Sequence, residues 1–170
     1  SFSETMFLLL AGCGVGYSVQ KKHIEKLPPV TKPNRGEKKF LVGDSIEGWA
    51  DAVKVLMKTY MQPNSPKIRF DYSSIRAKGT PIKTGGGKAP GPEPLRRALE
   101  NTRGILDSVE NGEQLRSVQI HDILCHLADA VLAGGIRRSA MISLFDIDDE
   151  AMLTCKSNFK VVSYEPVTIT

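Results

Sequence analysis

Three stretches of this sequence combine residue types and spacings suited to chemistry. Gly12-Cys13-Gly14-Val15-Gly16 sets glycines around a thiol. Glycine lets the main chain come close to a ligand. A dinucleotide fingerprint would need a strand, then GxGxxG, then a helix. Here the order is helix, glycines, strand, and the spacing is GxGxG, so that reading is excluded. A close backbone approach to a ligand and a tight helix-to-strand corner both remain. Thr84-Gly85-Gly86-Gly87-Lys88 resembles a P-loop only in part. Ala89 stands where the magnesium-binding hydroxyl belongs, and no glycine stands five residues before Gly87. Arg76, Lys78, Lys83 and Lys88 nevertheless surround this run, and cations with free backbone N–H groups suit a phosphate. The third stretch is Gly134-Gly135-Ile136-Arg137-Arg138-Ser139, after a helix. Its arginines either complement the helix dipole or reach a ligand.

Other candidates are weaker. His121, Cys125 and His126 share one predicted helix, but a metal site wants further ligands and the sequence offers no convincing third. Cys125 lies between apolar neighbours and is expected in the core. His23 stands alone. No Ser-His-Asp order and no catalytic acidic pair is visible. Cys13, Cys125 and Cys155 are an odd, scattered set, which argues against a disulfide framework and fits a reducing, cytoplasmic setting.

The elements that must hold these stretches follow from periodicity. Ser3 is expected to cap a helix through Leu10, ended by Gly12, with a buried strand over Gly14-Val15-Gly16-Tyr17-Ser18-Val19. Residues 21–39 carry Pro28, Pro29 and Pro33 and read as an extended basic link. Asp44, with Glu47 reaching back, is expected to cap a helix that buries Ile46, Trp49, Val53, Leu56, Met57 and Tyr60. After a turn at residues 63–66, Ile68-Arg69-Phe70-Asp71-Tyr72 alternates as a strand. Residues 79–94 form a glycine- and proline-rich loop, unusually long and so a functional candidate. Pro94 then suits the first turn of a helix with Leu95, Leu99, Thr102, Ile105 and Leu106 on one face. Ser117 opens another helix, with Ile120, Ile123, Leu124, Leu127 and Val131 inward. Met141-Ile142-Ser143-Leu144-Phe145 is a strand, followed by a short helix over residues 149–156. Strands separated by helices predict an α/β fold with parallel pairing.

Composition bounds the partners. The chain has 170 residues, 41% hydrophobic and 25% charged, with a net charge of +4. That is ordinary for one globular domain. Its longest apolar run is far short of the ~20 residues a bilayer needs, so no membrane partner is expected. Aromatics are 6% and do not interleave with the cations. Direct nucleic-acid binding, which uses stacking platforms, is therefore not expected. The first residue is Ser1 and the last ones are β-prone, so the expectation is an internal piece of a longer protein.

Four segments taken in order resemble one family. They are Gly12-Cys13-Gly14-Val15-Gly16-Tyr17-Ser18-Val19, then Glu47-Gly48-Trp49-Ala50-Asp51-Ala52. Next is the run from Asp71 through Ser74-Ile75-Arg76 and Gly79 to Gly85-Gly86, closing on Gly91-Pro92-Glu93-Pro94-Leu95. Last is His121-Asp122-Ile123, leading to Ala128-Asp129-Ala130-Val131-Leu132-Ala133-Gly134-Gly135-Ile136-Arg137-Arg138-Ser139-Ala140. Their order is similar to that of ribonucleotide reductase catalytic subunits, most closely the adenosylcobalamin-dependent (class II) kind. The resemblance covers residues 1–157; residues 158–170 depart from it, with Asn158-Phe159-Lys160 where the family has a glycine and tryptophans.

The resemblance implies part of the first half of a ten-stranded α/β barrel. It implies reduction of ribonucleotides to deoxyribonucleotides by thiyl-radical chemistry, with adenosylcobalamin as cofactor and a thioredoxin-like reductant. Cys13, Gly14 and Arg137 match substrate-facing positions. Arg76, Lys83, Gly85 and Gly86 match the binding site of a deoxynucleoside triphosphate effector. Gly135, Ile136, Arg137, Arg138, Ser139 and Ala140 match the specificity loop between effector and substrate. None of the three cysteines matches the family's radical-bearing or reducing cysteines, so no catalytic residue and no metal ligand is assigned here. This piece alone is expected to be inactive. Two other readings stand beside it: a non-catalytic nucleotide-binding module, and a large subunit served by a di-metal radical partner.

Overall fold

The computed structural model describes residues 2–83, 86–133 and 139–157. Its elements are helix α1 (Phe2–Leu10), strand β1 (Val15–Ser18), helix α2 (Lys21–Ile24), strand β2 (Glu37–Leu41) and helix α3 (Ile46–Met61). Strand β3 (Lys67–Asp71), helices α4 (Glu93–Ser108) and α5 (Ser117–Leu132), strand β4 (Met141–Leu144) and helix α6 (Glu150–Thr154) follow. The strands form two parallel pairs. β1 runs beside β4, Val15 opposite Met141, and β2 beside β3, Glu37 opposite Lys67. The fold is thus α/β with parallel strands.

The core is helical. α1 packs on α3 and α5, and α4 packs on α5. Met6 and Leu9 of α1, Val53 and Leu56 of α3, Leu95 and Leu106 of α4, and Ile123 and Leu127 of α5 are fully buried. Each is the product of an i, i+3, i+4 stripe, and each such side chain contributes about 1.5–3 kcal/mol by leaving water.

Several expected boundaries move. Ser3 lies inside α1 rather than capping it. Residues 21–39 are not all extended, since α2 forms before the prolines and β2 starts after them. The link between is tied down by Lys32, whose ammonium donates to the carbonyls of Leu106 and Asp107 at the C-terminal end of α4, where the helix dipole favours a cation. Ser45, not Asp44, caps α3, accepting from the Gly48 N–H at 2.9 Å. Arg116 holds the N-cap position of α5, its N–H donating to Gln119 Oε1 at 2.9 Å. Residues 79–94 are not an open loop. Pro81 and Lys88 form an antiparallel bridge, and α4 already begins at Glu93.

Gly48 has a steric reason for being glycine. A Cβ there would sit 2.3 Å from the carbonyl oxygen of Gly43. Gly104, within α4, would meet nothing within 4 Å. Gly48→Ala is therefore expected to destabilise the fold by about 1–3 kcal/mol through forced backbone displacement. Gly104→Ala is expected to stabilise it by about 0.5–1 kcal/mol. Urea denaturation of the two variants beside the parent checks both signs.

Candidate functional site

The glycine corner is built by the end of α1. The Gly12 N–H donates to Leu9 O at 3.0 Å and the Cys13 N–H to Leu8 O at 2.9 Å, with Gly12 at φ +87°. That double bond closes the helix and requires a left-handed residue, which glycine adopts without strain. Cys13 and Gly14 emerge exposed at the head of β1. The Val15 N–H then donates to Ala140 O at 3.0 Å. The corner and the end of the 135–140 stretch therefore meet directly. Ser139 stands beside this contact, its hydroxyl buried with no hydrogen-bond partner among the described residues. Gly135, Ile136, Arg137 and Arg138 lie outside the described residues, as do Gly85 and residues 158–170.

The glycine-rich stretch folds as a narrow hairpin. Ile82 N–H donates to Gly87 O (3.0 Å), Ala89 N–H to Thr80 O (2.8 Å) and Gly79 N–H to Ala89 O (2.9 Å). Three backbone N–H groups of residues 79–89 are thus spent inside the hairpin. Its tip still presents Lys83, Gly86 and Lys88 to solvent. Gly91, at φ +76°, turns the chain back against Lys78, whose backbone N would lie 3.0 Å from a Cβ at Gly91.

Beneath the hairpin lies a cavity of about 280 Å³. Its walls are Ile82, Ala89 and Gly91 of the hairpin, Trp49 of α3, and Ala130 and Val131 in the last turn of α5. Arg76 and Asp44 stand together at its edge. Arg76 Nε donates to Asp44 Oδ2 at 2.6 Å, and the arginine side chain is 43% exposed. Leu10, three residues before Cys13, closes another side. One cavity thus joins Arg76 and the glycine-rich hairpin to the helix that leads into residues 134–140.

Asp44 is the residue that sequence reasoning misplaced. Gly43-Asp44-Ser45 offers two capping side chains in succession, and only one can cap. Ser45 does so, which leaves Asp44 to face Arg76.

A second hollow, about 750 Å³, runs along β3 past Lys39, Arg69, Asp71, Tyr72, Lys78 and Arg96. It is larger, and three of its cations are paired with acids. Lys39 meets Asp71 at 2.9 Å, Arg69 meets Glu37 at 3.4 Å, and Arg96 meets Glu93 at 3.8 Å. The Lys39 ammonium holds the Asp71 carboxyl well below the usual carboxylate range. Arg96 also lies over the Tyr72 ring, 5.2 Å from its centroid.

The His121–Cys125 pair is present, but not as a metal site. Tyr17 Oη lies 2.5 Å from His121 Nδ1, and Cys125 Sγ lies 3.6 Å from His121 Nε2. Cys125 is half-buried rather than in the core, and burial pushes its thiol up. No group of three His, Cys, Asp or Glu side chains among the described residues could hold a metal. Both His121 nitrogens are engaged, one by Tyr17 and the other by Cys125.

Comparison with known proteins now places the chain. A family profile described as "B12-dependent ribonucleotide reductase, insertion domain" matches residues 18–106. The chain is 38% identical over 119 residues to the adenosylcobalamin-dependent ribonucleoside-triphosphate reductase of Euglena gracilis, covering 70% of the chain and 16% of that protein. It is 31% identical over 189 aligned positions to the same-named enzyme of Lacticaseibacillus paracasei, covering 89% and 25%. A crystal structure of a B-12 dependent (class II) ribonucleotide reductase superposes with a TM-score of 0.80 at 25% identity, over 92% of this chain and 26% of that one. Fold and sequence together set this chain among the ribonucleotide reductases. Within them it belongs to the B12-dependent family, whose cofactor is adenosylcobalamin. It spans about a sixth to a quarter of the length of these relatives.

The Arg76–Asp44 pair is solvent-facing, and exposed pairs contribute ~0–1 kcal/mol. Arg76→Ala is therefore expected to shift the unfolding free energy by no more than about 1 kcal/mol. Urea titration checks this, and a larger loss would make Arg76 a structural residue.

Proposed function

We propose that this chain is the regulatory and substrate-facing part of an enzyme that reduces ribonucleotides to deoxyribonucleotides. The observation that carries the reading is the cavity shared by Arg76, the glycine-rich hairpin and the last turn of α5. A deoxynucleoside triphosphate would set its phosphates against Arg76, Lys83 and the N–H groups near Gly85 and Gly86. Arg76 keeps donors beyond the one spent on Asp44, and a guanidinium suits phosphate oxygens. The last turn of α5 lines this cavity, and Ala140, the last of residues 135–140, accepts from the Val15 N–H beside the Cys13–Gly14 corner. Residues 135–140 would therefore be in reach of an effector at one end and a substrate at the other. Arg137 would reach towards the substrate base, with Ile136, Arg138, Ser139 and Ala140 forming the rest of that loop.

Residues 1–157 would act as one piece of the ten-stranded barrel, closed by chain outside this sequence. Adenosylcobalamin supplies the radical in this family, and no residue described here is assigned to it. A thioredoxin-like protein would return the reducing equivalents. Cys13, Cys125 and Cys155 are all free thiols, which suits a cytoplasmic enzyme.

Three outcomes test the proposal. The 170-residue chain alone, given ribonucleoside triphosphate, adenosylcobalamin and a dithiol, is expected to form no deoxynucleotide. In the full-length protein, Arg76→Ala is expected to weaken effector binding itself, measured by equilibrium dialysis of a labelled deoxynucleoside triphosphate. Arg137→Ala is expected to spare that binding and change substrate preference by roughly 5–150-fold, the usual range of coupling between two sites. Substrate competition under each effector reads this. If both variants behave as the parent, the cavity and the loop have no part in allostery.

A further inference from the structure

We propose that His121 is a positioning residue, pinning β1 to α5 through the Tyr17 hydroxyl and thereby fixing the Cys13–Gly14 corner against Ala140, just before β4. The inference rests on reading that corner as a wall of the substrate site.

The geometry is a short relay across two elements. Tyr17 is the third residue of β1, four positions from Cys13, and His121 lies in the second turn of α5. Their polar atoms are 2.5 Å apart, and the two rings stack at 6.2 Å between centroids. The opposite ring nitrogen of His121 faces Cys125 Sγ at 3.6 Å. Both nitrogens of a neutral imidazole are therefore satisfied. Tyr17 donates to Nδ1 while Nε2–H points at the sulfur, or the two directions reverse together. β1 needs such a pin. It is four residues long, and its described partner is β4 alone.

The relay can hold in either protonation state of His121. The groups facing His121 are Tyr17 from β1, Asp122 and Cys125 from α5, and Lys156 from the segment after α6. Burial lowers the His121 pKa below its ordinary 6.5, Asp122 opposes the shift and Lys156 reinforces it. Burial also raises Tyr17, so its hydroxyl keeps its proton. A protonated His121 carries hydrogens on both nitrogens, so its Nδ1–H would donate to the Tyr17 oxygen and the contact would reverse direction rather than break. The pin is therefore a matter of the two rings' placement, not of the charge on the imidazole.

The test uses the full-length enzyme with His121→Gln, His121→Phe and Tyr17→Phe. Two readouts are taken between about pH 5 and 8: kcat and KM separately, and the ring ¹⁵N shifts of His121. The parent should keep one low KM across this range, since the contact survives protonation by reversing its direction. His121→Phe and Tyr17→Phe should raise KM roughly three- to tenfold, the scale of one hydrogen bond lost, with kcat less affected. His121→Gln, whose amide can still meet the Tyr17 hydroxyl, should restore the low KM. The parent's ¹⁵N shifts should report a neutral ring whose tautomer balance changes in Tyr17→Phe. Ring shifts indifferent to Tyr17→Phe would remove the pin. Ring shifts as expected with an unchanged KM would overturn the positioning role. Neither result touches the effector cavity, which stands or falls with Arg76.

Discussion

The pairing of β1 with β4 is the constraint on which the site depends. It joins Val15 to Met141 in parallel, so everything between them is crossover. Parallel neighbours cannot be joined by a short turn, and closing so long a connection costs chain entropy that only a core can offset. Here α3, α4 and α5 within the connection, together with α1 before β1, supply that core. The reward is local. The glycine corner at the head of β1 and the chain entering β4 are brought into hydrogen-bond contact at Val15 and Ala140.

The electrostatics of the surface separate structure from site. Most cations along β3 are matched by an acid on the same or the neighbouring element, and such exposed pairs contribute little. Arg76 differs because its acid, Asp44, arrives from the far end of the β2–α3 connection and meets it at the mouth of a cavity. That placement leaves a guanidinium held in orientation but not enclosed. Lys32, by contrast, is consumed by the carbonyls at the end of α4 and is a fastening. Arg103 is similarly engaged, donating to Ile68 O at 2.6 Å and lying 5.8 Å from the Phe70 ring centroid.

Much of this was legible in the sequence because it rests on periodicity and on glycine. The faces of α3, α4 and α5 were given by apolar spacing alone: Leu56, Leu99 and Leu127 are buried as that spacing requires. Gly12 ended α1 as expected. The parallel strands followed from the alternation of elements. Two of the misses share a cause, which is competition between adjacent groups for one role. Asp44 and Ser45 could each cap α3, and sequence cannot say which does. The N–H groups of residues 79–91 could serve a ligand or one another, and a hairpin register decides that only in three dimensions. Tyr17 and His121 are 104 positions apart, and no local pattern links a strand residue to a distant helix. Membership of the family came from four ordered motifs rather than from any single one.

The central claim is that an effector bound under the glycine-rich hairpin is felt at the β1–β4 contact. Hydrogen–deuterium exchange on the full-length protein, with and without a deoxynucleoside triphosphate, addresses it directly. The account predicts slowed exchange at residues 76–91 and, at the same effector concentrations, at residues 13–16 and 139–142. Protection at residues 76–91 with residues 13–16 and 139–142 exchanging as in the free protein, or no protection at residues 76–91 at all, would contradict it.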